Sequence, residues 1–297
     1  MVLECINNMV LAKATCIKSG WKTIFEVLTV AAGEKVDSLV TKAYKLAFTI
    51  NKEFSEEVIR QDSFADLVSC FTEFAKNEKL QKVGLLSLEV LSRLIVRVAK
   101  TLIEIDTKET ISAARDASSK KYENLTKLWF PLLYGFHDII MSGEELEVRS
   151  RTLTHFFDVL LKYGSHFETD FWDLIYQKLL APIFGVIESP WNLRYDEEKA
   201  HYGISENDKM SFWVSTTFIQ ALNGMISLFS HYFEALTPRL QDLLGLLVNC
   251  ICQENDTIAR TGKTCFEEFL FRNGSKFEKE HWDLVIETFE RLFSLTT

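Results

Sequence analysis

Apolar residues recur with the period of a helix along almost the whole chain. Leu91, Leu94, Ile95, Val98 and Leu102 fall at i, i+3, i+4, i+7 and i+11, and Leu240, Leu243, Leu244, Leu247 and Ile251 repeat those offsets. Each set therefore lines one face of an amphipathic helix. Boundary residues agree with the period. Thr237-Pro238 predicts an N-cap with proline in the first turn, while Ser142 with Glu145 and Ser275 with Glu278 predict capping boxes. The pattern predicts about twelve helices. Two polar stretches interrupt it, about 105–124 and about 188–209, and are expected to be loops inserted into a single helical domain spanning 1–297.

Composition supports the same fold class. The 297 residues include only 12 Gly and 4 Pro, well under the roughly 12% of an average chain. A sandwich, a barrel or a βαβ enzyme would consume more of both at its turns. With 47% hydrophobic and 12% aromatic residues the chain must also pack rather than stay disordered. The reading is all-α.

An internal repeat adds architecture. Shifting Glu147–Leu174 onto Thr257–Leu284 matches Thr154, Phe156, Leu160, Gly164, Ser165, Phe167, Glu168, Trp172, Asp173 and Leu174 with identical residues. Both copies read as helix, glycine, short polar linker, then a helix opened by Trp172 or Trp282. Gly164 and Gly274 suit the left-handed position that ends a helix. A third tryptophan helix follows Ser19-Gly20 at Trp21. In each copy the tryptophan and the residues three and seven later share a face, placed to wedge against the neighbouring helix pair. The helix-pair pattern resembles the HEAT repeat, and a HEAT/armadillo-like α-solenoid of about six or seven stacked pairs is expected. Pro131 and Pro182 sit inside apolar helices and are expected to kink or end them.

Charge and chemistry narrow the function. Thirty-three basic against 42 acidic residues leave −9, so no basic excess points to nucleic acid. Leu85 to Ile105, the most apolar stretch, is broken by Glu89, Arg93, Arg97 and Lys100 and is too charged to span a bilayer, so the chain reads as soluble. Cys5, Cys16, Cys70, Cys250, Cys252 and Cys265 lack metal or redox spacing and read as buried free thiols. The histidines are scattered, and the carboxylates at Glu144, Glu145, Glu147, Glu267 and Glu268 read as solvated helix faces. No cofactor, metal or catalytic residue is assigned. The candidate interaction patch comprises Trp191, Tyr195 and Tyr202 in the second insertion and Lys120 and Lys121 at the first, since exposed aromatics anchor interfaces and a basic loop suits an acidic surface.

Several segments together carry a family resemblance. They are Met1-Val2-Leu3-Glu4-Cys5-Ile6, Ile17 through Phe25, Leu128-Trp129-Phe130-Pro131, Glu147-Val148-Arg149-Ser150-Arg151 and Cys252-Gln253-Glu254-Asn255-Asp256 through Arg260. Collinear and spread over essentially the whole chain, they resemble the region downstream of the catalytic, sec-seven domain in large trans-Golgi, brefeldin A-sensitive guanine-nucleotide exchange factors for Arf GTPases. The resemblance implies non-catalytic HEAT segments of an exchange factor whose catalytic domain lies elsewhere. It also implies a regulatory part in autoinhibition, membrane recruitment or small-GTPase response. The partners it implies are other domains of the parent, Arf-family or other Golgi small GTPases, and the membrane surface, with a peripheral location on the cytoplasmic face of the Golgi. Met1 falls inside an expected repeat helix, so the chain reads as a fragment of a longer protein. The other reading is a generic HEAT scaffold or transport adaptor holding peptides.

Overall fold

The computed structural model describes residues 2–111, 121–188 and 217–296, and every regular element among them is helical. The α-helices are α1 (Val2–Lys13), α2 (Gly20–Ala32), α3 (Asp37–Arg60), α4 (Phe64–Ala75), α5 (Gln81–Ile111), α6 (Phe130–Ser142) and α7 (Leu146–Tyr163). They continue with α8 (Thr169–Ile175), α9 (Ala181–Glu188), α10 (Ile219–His231), α11 (Phe233–Leu236), α12 (Leu240–Ile251), α13 (Asp256–Asn273) and α14 (Lys279–Thr296). The chain divides into two compact units, Met1–Val159 and Leu160–Thr297.

In the first unit α4 is the hub, packing against α2, α3, α5 and α6. Its sequence explains that position: Phe64, Leu67, Val68, Cys70, Phe71, Phe74 and Ala75 point to more than one side and are all buried, as a helix with several neighbours requires. Tyr44 from α3 sets its ring edge-on to both Phe71 and Phe74. In the second unit α12 packs on α9, α13 and α14, and α10 packs on α13. The periodic sets read from the sequence face inward: Leu91, Leu94, Ile95 and Val98 are buried in one unit and Leu240, Leu243, Leu244 and Leu247 in the other. The fold class is all-α, with helices packing on close neighbours along the chain in each unit, as an α-solenoid requires.

Several local expectations change. The expected capping serines and threonine act differently: Ser142 Oγ donates to Asp138 O at 2.7 Å, and Thr237 Oγ1 donates to Phe233 O at 2.6 Å. Both turn back into the preceding helix, a local choice open to short hydroxyl side chains. The box expected at Ser275 moves three residues on, where the Glu278 N–H donates to His281 Nδ1 at 3.0 Å. Asn255 is a working cap instead, its Oδ1 accepting from the Thr257 and Ile258 N–H groups. Gly274 has φ −56°, ψ −30° rather than a left-handed conformation. Among the described residues Asp62 is the one non-glycine with positive φ, at 57°.

The prolines neither end their helices nor act alone. Pro131 and Pro182 each come two residues after a five-residue π turn, Leu125–Trp129 and Tyr176–Leu180. Just before each proline, the Phe130 N–H reaches Leu125 O and the Ala181 N–H reaches Tyr176 O, five residues back. Widening the helix there relieves the collision between a proline ring and the carbonyl four residues earlier. Of the expected insertions, 105–111 belongs to α5 and 121–124 is helical. Residues 112–120, and 189–209 of the second insertion, lie outside the described residues.

Candidate functional site

The repeated unit is a corner. Helices α1, α7 and α13 each end in a three-residue 3-10 turn, Ala14–Cys16, Gly164–His166 and Gly274–Lys276. Each turn is closed by an N–H of the following apolar residue: Ile17 to Ala14 O at 3.1 Å, Phe167 to Gly164 O at 3.0 Å and Phe277 to Gly274 O at 3.3 Å. A tryptophan helix then departs. The first corner is therefore at Ala14, not at Gly20, which opens the next helix.

Gly164 is fixed by space rather than by backbone angle. A Cβ there would lie 2.4 Å from Trp172 Cζ2 and 2.8 Å from Tyr232 Cε2. Trp172 Nε1 donates to Gly164 O at 3.2 Å, so the indole lies across the corner. Tyr232 lies against it, ring centroids 5.2 Å apart, its hydroxyl donating to Leu161 O at 2.6 Å and accepting from the Ser165 N–H at 3.1 Å. Arg239 Nε donates to Asp173 Oδ1 at 2.9 Å, and its guanidinium sits over the Tyr176 ring. Burial raises the Tyr232 pKa, and the Asp173 carboxylate raises that of Arg239. Both groups keep their neutral pH forms, as the contacts need.

These contacts cover a stripe that the sequence had not resolved. Trp172, Tyr176, Leu179 and Ile183 run along one side of α8, the π turn and α9, and all four are buried. The same offsets from Trp21 give Phe25, Leu28 and Ala32, all buried on α2, against which α4 packs. From Trp282 they give Ile286, Phe289 and Phe293. Here Trp282 is 41%, Ile286 55% and Phe293 66% exposed, so the expectation that every tryptophan wedges against a neighbouring helix pair fails at Trp282. The α13-facing side of α14 does pack, through buried Val285 and through Phe289, whose ring lies tilted against Phe266 of α13, centroids 5.1 Å apart.

Of the sequence-predicted patch, Trp191, Tyr195, Tyr202 and Lys120 lie outside the described residues, and Lys121 is half-buried at the start of the helical run leading to α6. Nearby Lys127 is held by Asp62 and Glu123. A shallow groove of about 480 Å³ opens in the first unit between α5 and α7, with Gln81, Lys82, Glu89, Ser92, Arg151 and His155 in its lining. Its charges are largely spoken for: Gln81 Nε2 donates to Glu145 and Glu147, Arg151 pairs with Glu147, and Glu89 pairs with Arg93. Arg149, next along α7, is buried with no partner for Nε, and burial lowers its pKa.

Only half of the cysteines are buried. Cys70 and Cys250 are pushed up to about 12 and Cys265 to about 11, chiefly by burial, whereas Cys5, Cys16 and Cys252 are exposed. Among the described residues no cluster of His, Cys, Asp or Glu could hold a metal ion, and no helix is long and apolar enough to cross a membrane.

The family model described as Mon2/Sec7/BIG1-like, HDS, matches residues 1–48, which hold the first corner and the Trp21 stripe. The chain is 42% identical over 300 residues to the ADP-ribosylation factor guanine nucleotide-exchange factor SEC7 of Saccharomyces cerevisiae, and 34% identical over 297 residues to sec72 of Schizosaccharomyces pombe. It is 30% identical over 303 residues to the Brefeldin A-inhibited guanine nucleotide-exchange protein 1 of Homo sapiens. Each match takes in 100% of this chain but only 14%, 15% and 15% of the relative. The chain belongs to the HDS-bearing, helical region of the Sec7/BIG family of large exchange factors.

Proposed function

We propose that the chain is a non-catalytic regulatory and interaction module of an Arf guanine-nucleotide exchange factor acting in Golgi vesicle trafficking. It works by helix-face contacts with other parts of the parent chain, with Arf-family or other Golgi small GTPases, and with the cytoplasmic membrane surface. The observation that carries this reading is similarity along the full chain to exchange factors of which the matched region is about one seventh, combined with a family match to the HDS segment. Buried side chains in the quoted family segments support it. Trp21, Trp129 and Val148 serve packing, and Asn255 serves as a helix cap.

The test is nucleotide release from Arf loaded with fluorescent GDP, in the presence of the purified chain. Release at the spontaneous rate is expected, and stimulated release contradicts the proposal. The groove between α5 and α7 favours a second reading, a peptide-holding scaffold. That reading requires an extended peptide to protect His155 from diethyl pyrocarbonate.

A further inference from the structure

The outer side of α5 runs against the charge of the chain as a whole. Within a protein of net charge −9, residues 81–100 hold Lys82, Arg93, Arg97 and Lys100 and one acid, Glu89, which pairs with Arg93 at 2.5 Å. All five are exposed. Lys82, Glu89, Arg93, Val96 and Lys100 fall within about 60° of one another around the helix and draw a line about 27 Å long. Val96, within that line, is 49% exposed although aliphatic. On the side of α3, Lys45 and Lys52 are exposed, and Ser55 accepts from the Arg97 guanidinium. On the side of α7 lies the groove of about 480 Å³, floored by Leu85, Leu86 and Leu88. Leu88 is buried and Leu85 half-buried, so the floor is recessed between two helices. At the groove mouth Glu145 and Glu147 are held by Gln81 and Arg151, and toward Lys100 the line turns basic. Stacking of further helix pairs does not cover this surface, because α5 already has α3 on one side, α7 on the other and α4 beneath it.

A recessed apolar floor beside an exposed basic line selects one class of occupant. A bilayer is flat and does not reach Leu88. An extended peptide needs partners for its backbone N–H and C=O groups, but every regular element among the described residues is helical, and Gln81, the one amide lining the groove, is committed to Glu145 and Glu147. A helix satisfies its own backbone and presents side chains alone. We infer that this face of α5 and its groove bind an acidic amphipathic helix of a partner protein, a step that rests on the reading of the chain as a module working by helix-face contacts. Apolar residues at i, i+3, i+4 and i+7 of the partner seat over Leu85, Leu86 and Val96, and its flanking carboxylates meet Arg93, Arg97 and Lys100.

The probe is a labelled synthetic peptide of about 18 residues, the length of the basic line, with leucine along one helical stripe and glutamate elsewhere. Fluorescence anisotropy reads its binding to the 297-residue chain. Saturable binding is expected, weaker by at least about tenfold when lysine replaces glutamate, when serine replaces leucine, or when a central proline breaks the helix. Arg93→Glu combined with Lys100→Glu should weaken it by at least about fivefold. Ser92→Phe, which fills the groove, should weaken it similarly, while Lys263→Glu on exposed α13 leaves it unchanged. Equal affinity for the glutamate and lysine peptides overturns the inference. Equal affinity for the proline peptide does so too, because the groove then holds an extended chain. If the glutamate peptide fails to bind and phosphatidylserine vesicles bind instead, the occupant is a lipid surface and the inference also fails. Arf nucleotide release is measured separately: stimulated release would contradict the non-catalytic reading without touching this site, and absent peptide binding would leave that reading standing.

Discussion

At the scale of single residues, Gly164 and Gly274 are identical in sequence and unequal in consequence. Gly164→Ala forces a methyl to within 2.4 Å of Trp172 and should destabilise by about 2–3 kcal/mol, the usual cost of overpacking. Gly274→Ala has 3.6 Å of clearance and ordinary helical angles. It should be neutral or stabilising by up to about 1 kcal/mol through the unfolded state. Urea unfolding of the two variants distinguishes them, and equal losses would mean that the corner is governed by backbone conformation. The thiols give a second outcome. Native protein should titrate three cysteines with a disulfide reagent at pH 8, Cys5, Cys16 and Cys252, and denatured protein all six, because burial holds the other three near 11 to 12. The glycine identity was legible in the sequence and its reason was not, since the clash involves Tyr232, far along the chain. The cysteine spacing excluded metal sites but could not separate Cys250 from Cys252, which occupy opposite sides of a helix end.

At the scale of elements, amphipathic periods located the helices well because burial of a stripe is what makes a short helix stable. Capping was less legible, since Ser142 and Thr237 had a carbonyl of their own helix within reach and took it. The π turns before Pro131 and Pro182 were invisible to a search for breaks, because tertiary packing of Leu132, Leu133, Ile183 and Phe184 holds the helix together past the proline. Lys76 shows how elements are joined: at the end of α4 it pairs with Glu73 and reaches Asp138 on α6 at 2.8 Å. Its burial opposes the charge, but the two carboxylates outweigh it and raise its pKa above 10.5. Lys76→Met should cost about 0.5–1 kcal/mol, the pair being partly solvated. A raised folded pKa means the ammonium is favoured in the native state, so this contribution is complete below about 10.5 and falls as pH rises through the folded value. The wild-type advantage in unfolding should therefore be constant at neutral pH and shrink only above about 10.5.

At the scale of the whole molecule, two compact helical units carry three corners. The family relation rests on similarity that runs the length of the chain rather than on any one motif. What the sequence left unresolved is the surface: Trp191, Tyr195 and Tyr202 were singled out because helix packing did not explain them, whereas the exposed α14 stripe escaped notice because its spacing is that of a buried one. Only the accessibility of identical positions in two copies separates the occupied stripe from the bare one. The central claim is that the chain works by binding within an exchange factor's machinery. Co-precipitation tests it most directly, using the immobilised chain with Arf-family proteins locked in GDP or GTP form and with the remainder of the Saccharomyces cerevisiae relative. The account predicts retention of the GTP-locked form over the GDP-locked form, or of the relative's remaining chain; retention of none of them would contradict it.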